Sequence, residues 1–104
     1  MANIAQGLEN KQIKQVVIVS KVYQRPVAGA IREIVSFLNK LGVEAFLDQN
    51  TQVGFNLTDL PCLSRKQMRD KDLIIVVGGD GSMLGAARTL VDLNVPMLGV
   101  IADI

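Results

Sequence analysis

The chain has 104 residues, of which 49% are hydrophobic, and its formal net charge is +1. This length fits a single domain over residues 1–104, the hydrophobic content excludes disorder, and the charge gives no basis for binding nucleic acid or a membrane surface. Histidine is absent and cysteine occurs once, which excludes an internal disulfide, multi-cysteine metal sites and Ser-His or Cys-His catalytic pairs. The first 15 residues are polar, and no apolar run approaches the roughly 20 residues that span a bilayer. We therefore expect a cytoplasmic protein.

The first half of the chain predicts two strands with a helix between them. Val16–Val19 is apolar at every position, which is typical of a strand covered on both faces. Pro26 suits the first turn of a helix over residues 26–41, in which apolar residues recur at helical spacing, and Gly42 is a natural left-handed cap. Val43–Leu47 indicates a second strand, nearer an edge of the sheet because its apolar residues only half alternate.

Residues 48–72 follow no clear period. A basic cluster, Arg65, Lys66 and Arg69, is interpreted as the solvated face of a short helix. Cys62 is interpreted as a small core residue.

The second half repeats the alternation of strand and helix. Leu73–Val77 is fully apolar and β-rich, as expected of a central parallel strand. A helix over residues 82–92 follows, Asn94 and Pro96 end it, and Met97–Val100 begins another strand. The pattern predicts an α/β fold: an open parallel sheet with helices on both faces and right-handed crossovers, that is, a Rossmann-like domain.

The turn between the strongest strand and the following helix reads Gly78-Gly79-Asp80-Gly81-Ser82. Ligands of parallel sheets bind beyond the carboxyl ends of the strands, and glycines let a ligand approach the backbone closely. The start of a helix favours an anion, and Ser82 is expected both to cap this helix and to contact the ligand. The turn therefore predicts a site for a phosphate-bearing ligand.

Asp80 is the unexpected member of this turn, because a carboxylate repels an anionic ligand. It has a task there if it holds a metal ion that bridges phosphates, or if it accepts the proton of an attacking hydroxyl. The alternative is a structural turn, in which Asp80 caps the helix and the glycines only permit the bend. No GxxxxGK[ST] is present, which excludes a P-loop, and Gly79, Gly81 and Gly85 match the dinucleotide fingerprint only loosely.

The run from Leu73 to Arg88 resembles the GGDG segment of bacterial NAD kinases, and residues 94–100 resemble the continuation of that family. Phosphofructokinases and lipid kinases carry similar turns. Phosphofructokinases also have a glycine-rich loop after their first strand, where this chain has Ser20–Arg25. Lipid kinases usually have threonine after the turn. The resemblance therefore favours NAD kinase, as the amino-terminal domain.

The resemblance implies that Asp80 accepts the proton of the 2′-hydroxyl of the NAD ribose, and that Asp80 and Gly81 contact the dinucleotide. From the chemistry of the turn we expect Gly78, Gly79 and Ser82 to bind nucleotide as well. The resemblance also implies ATP or polyphosphate as the phosphoryl donor, a divalent cation such as magnesium, and a homo-oligomer of the full-length protein. No residue of this chain is assigned as a metal ligand.

Family members continue with an asparagine and further glycines where this chain has residues 101–104, and they carry a carboxyl-terminal β-rich domain. We expect the 104-residue chain alone not to phosphorylate NAD, because phosphoryl transfer depends on positioning in a closed site. Two other interpretations stay open. One is a non-catalytic nucleotide-binding or assembly module, and the other is a fragment of a related sugar or lipid kinase.

Overall fold

The structure is a computed structural model that describes residues 13–79 and 81–102. Its five-stranded sheet has the order β3-β2-β1-β4-β5. The strands are β1 (Gln15–Val19), β2 (Glu44–Asp48), β3 (Cys62–Leu63), β4 (Leu73–Gly78) and β5 (Met97–Ile101). The helices are α1 (Arg25–Lys40), α2 (Gln49–Phe55) and α3 (Ser82–Leu90), with 3₁₀ turns at Lys66–Asp70 and Val91–Leu93. Every strand pairing in the described ranges is parallel, which confirms the predicted α/β fold.

The sheet is covered on both faces because side chains along each strand alternate in direction. Val16 and Ile18 of β1 belong to an apolar cluster with the buried stripe of α1, formed by Val27, Ile31, Val35 and Leu38. Val17 and Val19 belong to a second cluster on the opposite face, with Ala86 and Leu90 of α3. Two-sided burial explains why the strands are apolar at consecutive positions.

The ends of the helices follow the predicted signals. Pro26 lies in the first turn of α1, and Gly42 has a φ of 77° just past its end. Asn94 is also left-handed, with a φ of 56°. The predicted helix over residues 82–92 is two elements, since α3 ends at Leu90 and a 3₁₀ turn continues to Leu93.

The middle of the chain contains two elements that the sequence did not predict. Asp48 caps α2 by accepting a hydrogen bond from Thr51 N at 3.2 Å. The edge strand β3 has two residues, of which Cys62 pairs with Leu47. Cys62 is half-buried and packs at the rim of the α1 cluster rather than in the core. A seven-residue helix and a two-residue strand are too short to show a period.

The strand order fixes where a ligand can enter. β1 is the central strand, and β4 lies beside it with all six residues buried. The chain leaves β1 for a helix on one face and leaves β4 for a helix on the other. The crevice between these diverging connections is a topological switch point, the usual ligand site of open α/β sheets. Within the described ranges, no helix has the length and apolar character required to cross a membrane.

Candidate functional site

A cleft of about 770 Å³ opens at this switch point, beyond the carboxyl ends of β1, β2 and β4. Its walls come from residues 20–22 after β1, residues 48–50 at the end of β2, and the length of α3 from Ser82 to Leu90, with Arg65 and Met68 beside them. Gly79, Gly81 and Ser82 of the predicted site line it. Asp80 lies outside the described residues. The glycine turn is therefore part of a concave site, as the sequence predicted for a ligand-binding turn.

Gly78 differs from the other glycines of the turn, because the packing of the fold requires it. A Cβ added at this position would overlap Ser82 Oγ and would lie 2.9 Å from Ser82 Cβ and 3.2 Å from Val22 Cγ2. Gly78 is buried at the end of β4 and is not among the cleft-lining residues. Its absent side chain lets the start of α3 pack against the strand, and its predicted contact with nucleotide stays a prediction.

Packing against neighbouring residues does not explain why positions 79 and 81 are glycines. An added Cβ at either residue would meet no atom of the described residues within 4 Å, and neither glycine has a positive φ. Gly81 has a φ of −86° and a ψ of −7°, a conformation open to any residue. The conformation of the backbone therefore does not explain why these two residues are glycines. Side chains at these positions would extend into the cleft.

The start of α3 departs from prediction in one respect. The helix begins at Ser82, its N-cap is Gly81, and the cap has no side-chain hydrogen bond. Ser82 N donates to Gly79 O at 3.1 Å, while the Ser82 side chain packs against Gly78. The expectation that Ser82 caps the helix is wrong, because the turn places it one residue inside the helix. The first turn still faces the cleft, where its amide dipoles favour an anion.

The charge of the cleft is cationic. Lys21, Arg65 and Arg88 line it, and Asp48 is the one acidic side chain among the described residues that do so. The cations come from three separate segments of the chain, so no short sequence motif contains them. A cluster of this sign suits phosphate groups.

Arg65 has a second contact surface besides solvent. Arg65, Lys66 and Arg69 are all exposed, as a solvated face requires. Arg65 also lines the cleft, where its Nη2 donates to Thr89 O at 2.7 Å and pairs with the Asp92 carboxylate. These partners lie at the end of α3 and just after it, so they hold the guanidinium beside the helix that bears the glycine turn.

Sequence reasoning missed Lys21, Asp48, Arg65 and Arg88 as site residues. Lys21 and Asp48 each follow or end a strand that the sequence predicted, and the carboxyl ends of parallel strands share one edge. That positional signal could have found them. Arg65 could not be found in this way, since its place depends on how the 3₁₀ turn packs against α3.

A parallel sheet of this order, with a glycine turn and a cationic cleft at its switch point, has the architecture of the nucleotide-binding α/β proteins. Residues 5–102 match the family model of the ATP-NAD kinase N-terminal domain. The chain belongs to the NAD kinase family.

Relatives in sequence agree with this assignment. The chain is 43% identical over 72 residues to an NAD kinase of Legionella pneumophila strain Corby, which covers 68% of the chain and 24% of that protein. It is 33% identical over 88 residues to an NAD kinase of Cupriavidus pinatubonensis, which covers 84% of the chain and 29% of that protein. The chain thus spans between 24% and 29% of the length of these relatives.

The crystal structure of yeast NADH kinase complexed with NADH shares the fold. Its TM-score is 0.62 at 18% sequence identity, and the match covers 88% of this chain and 30% of the yeast chain. At this identity the likeness concerns the fold alone.

Proposed function

We propose that this chain forms the nucleotide-binding part of an enzyme that transfers a phosphoryl group from ATP, or polyphosphate, to the 2′-hydroxyl of the NAD ribose, giving NADP. Membership of the NAD kinase family supports this reaction over those of the related sugar and lipid kinases. The assembly of the whole protein as a homo-oligomer and its cytoplasmic location stay predictions.

One observation carries the proposal: the open space over Gly79 and Gly81, in a cleft lined by three cationic side chains. Local structure does not require glycine at these two positions, whereas a ligand held against the backbone does. Lys21 and Arg88 line this cleft, as does Arg65 in its pair with Asp92, and such cations would help to neutralise the phosphates of a ligand. Positioning and electrostatic stabilisation are the main contributions of proteins to phosphoryl transfer.

Asp80 would accept the proton of the attacking ribose hydroxyl. This role rests on the resemblance and on the place of Asp80 in the chain, between two residues that line the cleft. An aspartate of ordinary pKa, near 3.9, is ionised at neutral pH and able to accept a proton. General-base assistance of this kind contributes on the order of 10²–10⁴ in rate.

A divalent cation would enter with the donor. Within the described ranges, no group of three or more His, Cys, Asp or Glu side chains could hold a metal ion. This fits magnesium, which is usually bound through one or two carboxylates and the phosphates of the substrate. When bound, it would neutralise charge on the donor phosphates.

The test joins residues 5–102 to the rest of the Legionella pneumophila NAD kinase, in place of its matching segment. The chimaera should form NADP from NAD and ATP. Asp80→Asn should lower kcat roughly 100-fold or more, with a much smaller effect on NAD affinity, because a general base acts mainly in the transition state. A melting curve would verify that the variant folds.

Asp59→Asn is the matched control, since Asp59 is exposed and pairs with Arg32 outside the cleft. It should leave kcat unchanged. Near-normal turnover by a folded Asp80→Asn chimaera would remove Asp80 from the mechanism. A chimaera that folds and forms no NADP would refute the proposed function of the chain.

A further inference from the structure

Asp48 is the acidic residue in a cleft whose other charged side chains, among the described residues, are all cations. It ends β2 and has intermediate burial, so it is neither a free surface charge nor a core residue. A carboxylate in this place weakens the attraction for phosphate. A second role at the site would explain its presence.

The capping of α2 uses one oxygen of this carboxylate. Asp48 Oδ1 accepts hydrogen bonds from Thr51 N at 3.2 Å and from the Thr51 hydroxyl. Thr51 is fully buried, and its Oγ1 accepts a hydrogen bond from Ser20 N at 2.9 Å. Asp48 Oδ2 makes no hydrogen bond to a residue in the described ranges. The carboxylate is thus held firmly by one oxygen, and the other is available as an acceptor.

The position of Asp48 in the sheet indicates what that oxygen would accept. The strand order β3-β2-β1-β4-β5 is the order of the dinucleotide-binding sheets, in which an acidic residue about 20 residues after the glycine loop binds a ribose hydroxyl. Asp48 lies at the corresponding edge of this sheet, although the glycine turn here follows β4 rather than β1. Two strand spacings, about 10 Å, separate β2 from β4, and a nucleoside polyphosphate can bridge such a gap.

We propose that Asp48 accepts a hydrogen bond from a ribose hydroxyl of a purine nucleotide whose phosphates lie against the glycine turn and the cations of the cleft. This inference rests on the proposed function and adds a specificity-determining residue to that site. The ribose could belong to ATP or to NAD, since both carry the same diol.

The test measures binding to the 104-residue chain by calorimetry, with ATP, NAD, 2′,3′-dideoxy-ATP and inorganic tripolyphosphate as ligands. Asp48→Ser removes the free oxygen and keeps a good N-cap for α2. It should weaken ATP or NAD roughly 10- to 100-fold, the scale of a hydrogen bond to a charged group. The same substitution should leave the affinity for tripolyphosphate unchanged or raise it, because a negative charge has been removed from the cleft. The nucleotide that loses affinity is the one whose ribose Asp48 holds.

Two controls separate this role from a structural one. Asp59→Ser removes an acidic side chain outside the cleft and should change no affinity. The unmodified chain should bind dideoxy-ATP more weakly than ATP if ATP is the ligand, and Asp48→Ser should abolish that difference.

The outcomes distinguish the two proposals. If the unmodified chain binds ATP or NAD and Asp48→Ser binds both equally well, the role of Asp48 is refuted and the proposed function stands. If Asp48→Ser weakens the binding of nucleotide and of tripolyphosphate equally, the role of Asp48 in holding the ribose is also refuted, because a loss of both affinities indicates a disrupted site. If the unmodified chain binds neither nucleotide while the chimaera forms NADP, this inference fails and the proposed function stands. If the chimaera forms no NADP either, both fail.

Discussion

Gly78→Ala tests whether the end of β4 is packed as closely against α3 as the structure indicates. The new Cβ would lie 2.9 Å from Ser82 Cβ, whereas carbon atoms in contact prefer about 3.5–4.0 Å. Rotation of the Ser82 side chain moves its Oγ away but cannot move its Cβ. The strand and the helix must therefore separate by about half an ångström or more.

The expected cost follows from two opposing effects. Overpacking of this kind costs about 1–3 kcal/mol, and the lower entropy of the unfolded chain with alanine offsets about 0.4–1 kcal/mol. The net loss, about 1.3 kcal/mol at the middle of these ranges, corresponds to a melting temperature lower by roughly 5–10 °C in a domain of this size. Thermal and urea denaturation of the 104-residue chain would measure it.

Gly79→Ala is the matched control for this substitution. It adds the same methyl group one residue further on, where nothing lies within 4 Å, and it should not destabilise the chain. Adding Ser82→Gly to Gly78→Ala should recover part of the lost stability, beyond the effect of Ser82→Gly alone. A Gly78→Ala chain as stable as the unmodified one, or a double variant without this recovery, would refute the packing explanation.

Three further predictions concern other parts of the structure. Thr51→Val should lower the free energy of unfolding by about 1–3 kcal/mol in urea denaturation, because the buried Ser20 N–H loses its partner, and an equal loss with Thr51→Ser would contradict this. Gly85→Ala should stabilise α3 by about 0.5–1 kcal/mol, since the added Cβ meets nothing and alanine is the better helix former, and an unchanged melting curve would count against it. The hydrogen bonds from the Arg32 guanidinium hold the pKa of Asp59 below its usual range. This exposed pair therefore adds a small stability at pH values above the ordinary carboxyl pKa, and that stability is lost as the pH falls through the lowered pKa of Asp59. Carboxyl NMR titration of Arg32→Gln should show the Asp59 pKa returning upward, and an unmoved value would exclude the ion pair as its cause.

The sequence by itself determined the class of fold. Consecutive apolar residues in Val16–Val19 and Leu73–Val77 require cover on both faces, and their alternation with helices indicates a parallel sheet between helices. Local signals also located the ends of α1, because Pro26 and Gly42 act through their own backbone preferences. The glycine turn was predicted as a ligand site from its place between a buried strand and a helix.

Only the tertiary structure decided which residues share that site. Lys21, Asp48 and Arg65 are far apart in the chain and meet at one edge of the sheet because the order of the strands brings their segments together. The structure also separated Gly78, which packing requires, from Gly79 and Gly81, which face open space. These residues look alike in sequence because a glycine carries no side chain to show its surroundings. What distinguishes them is the presence or absence of neighbouring atoms, and the folded chain alone sets those distances.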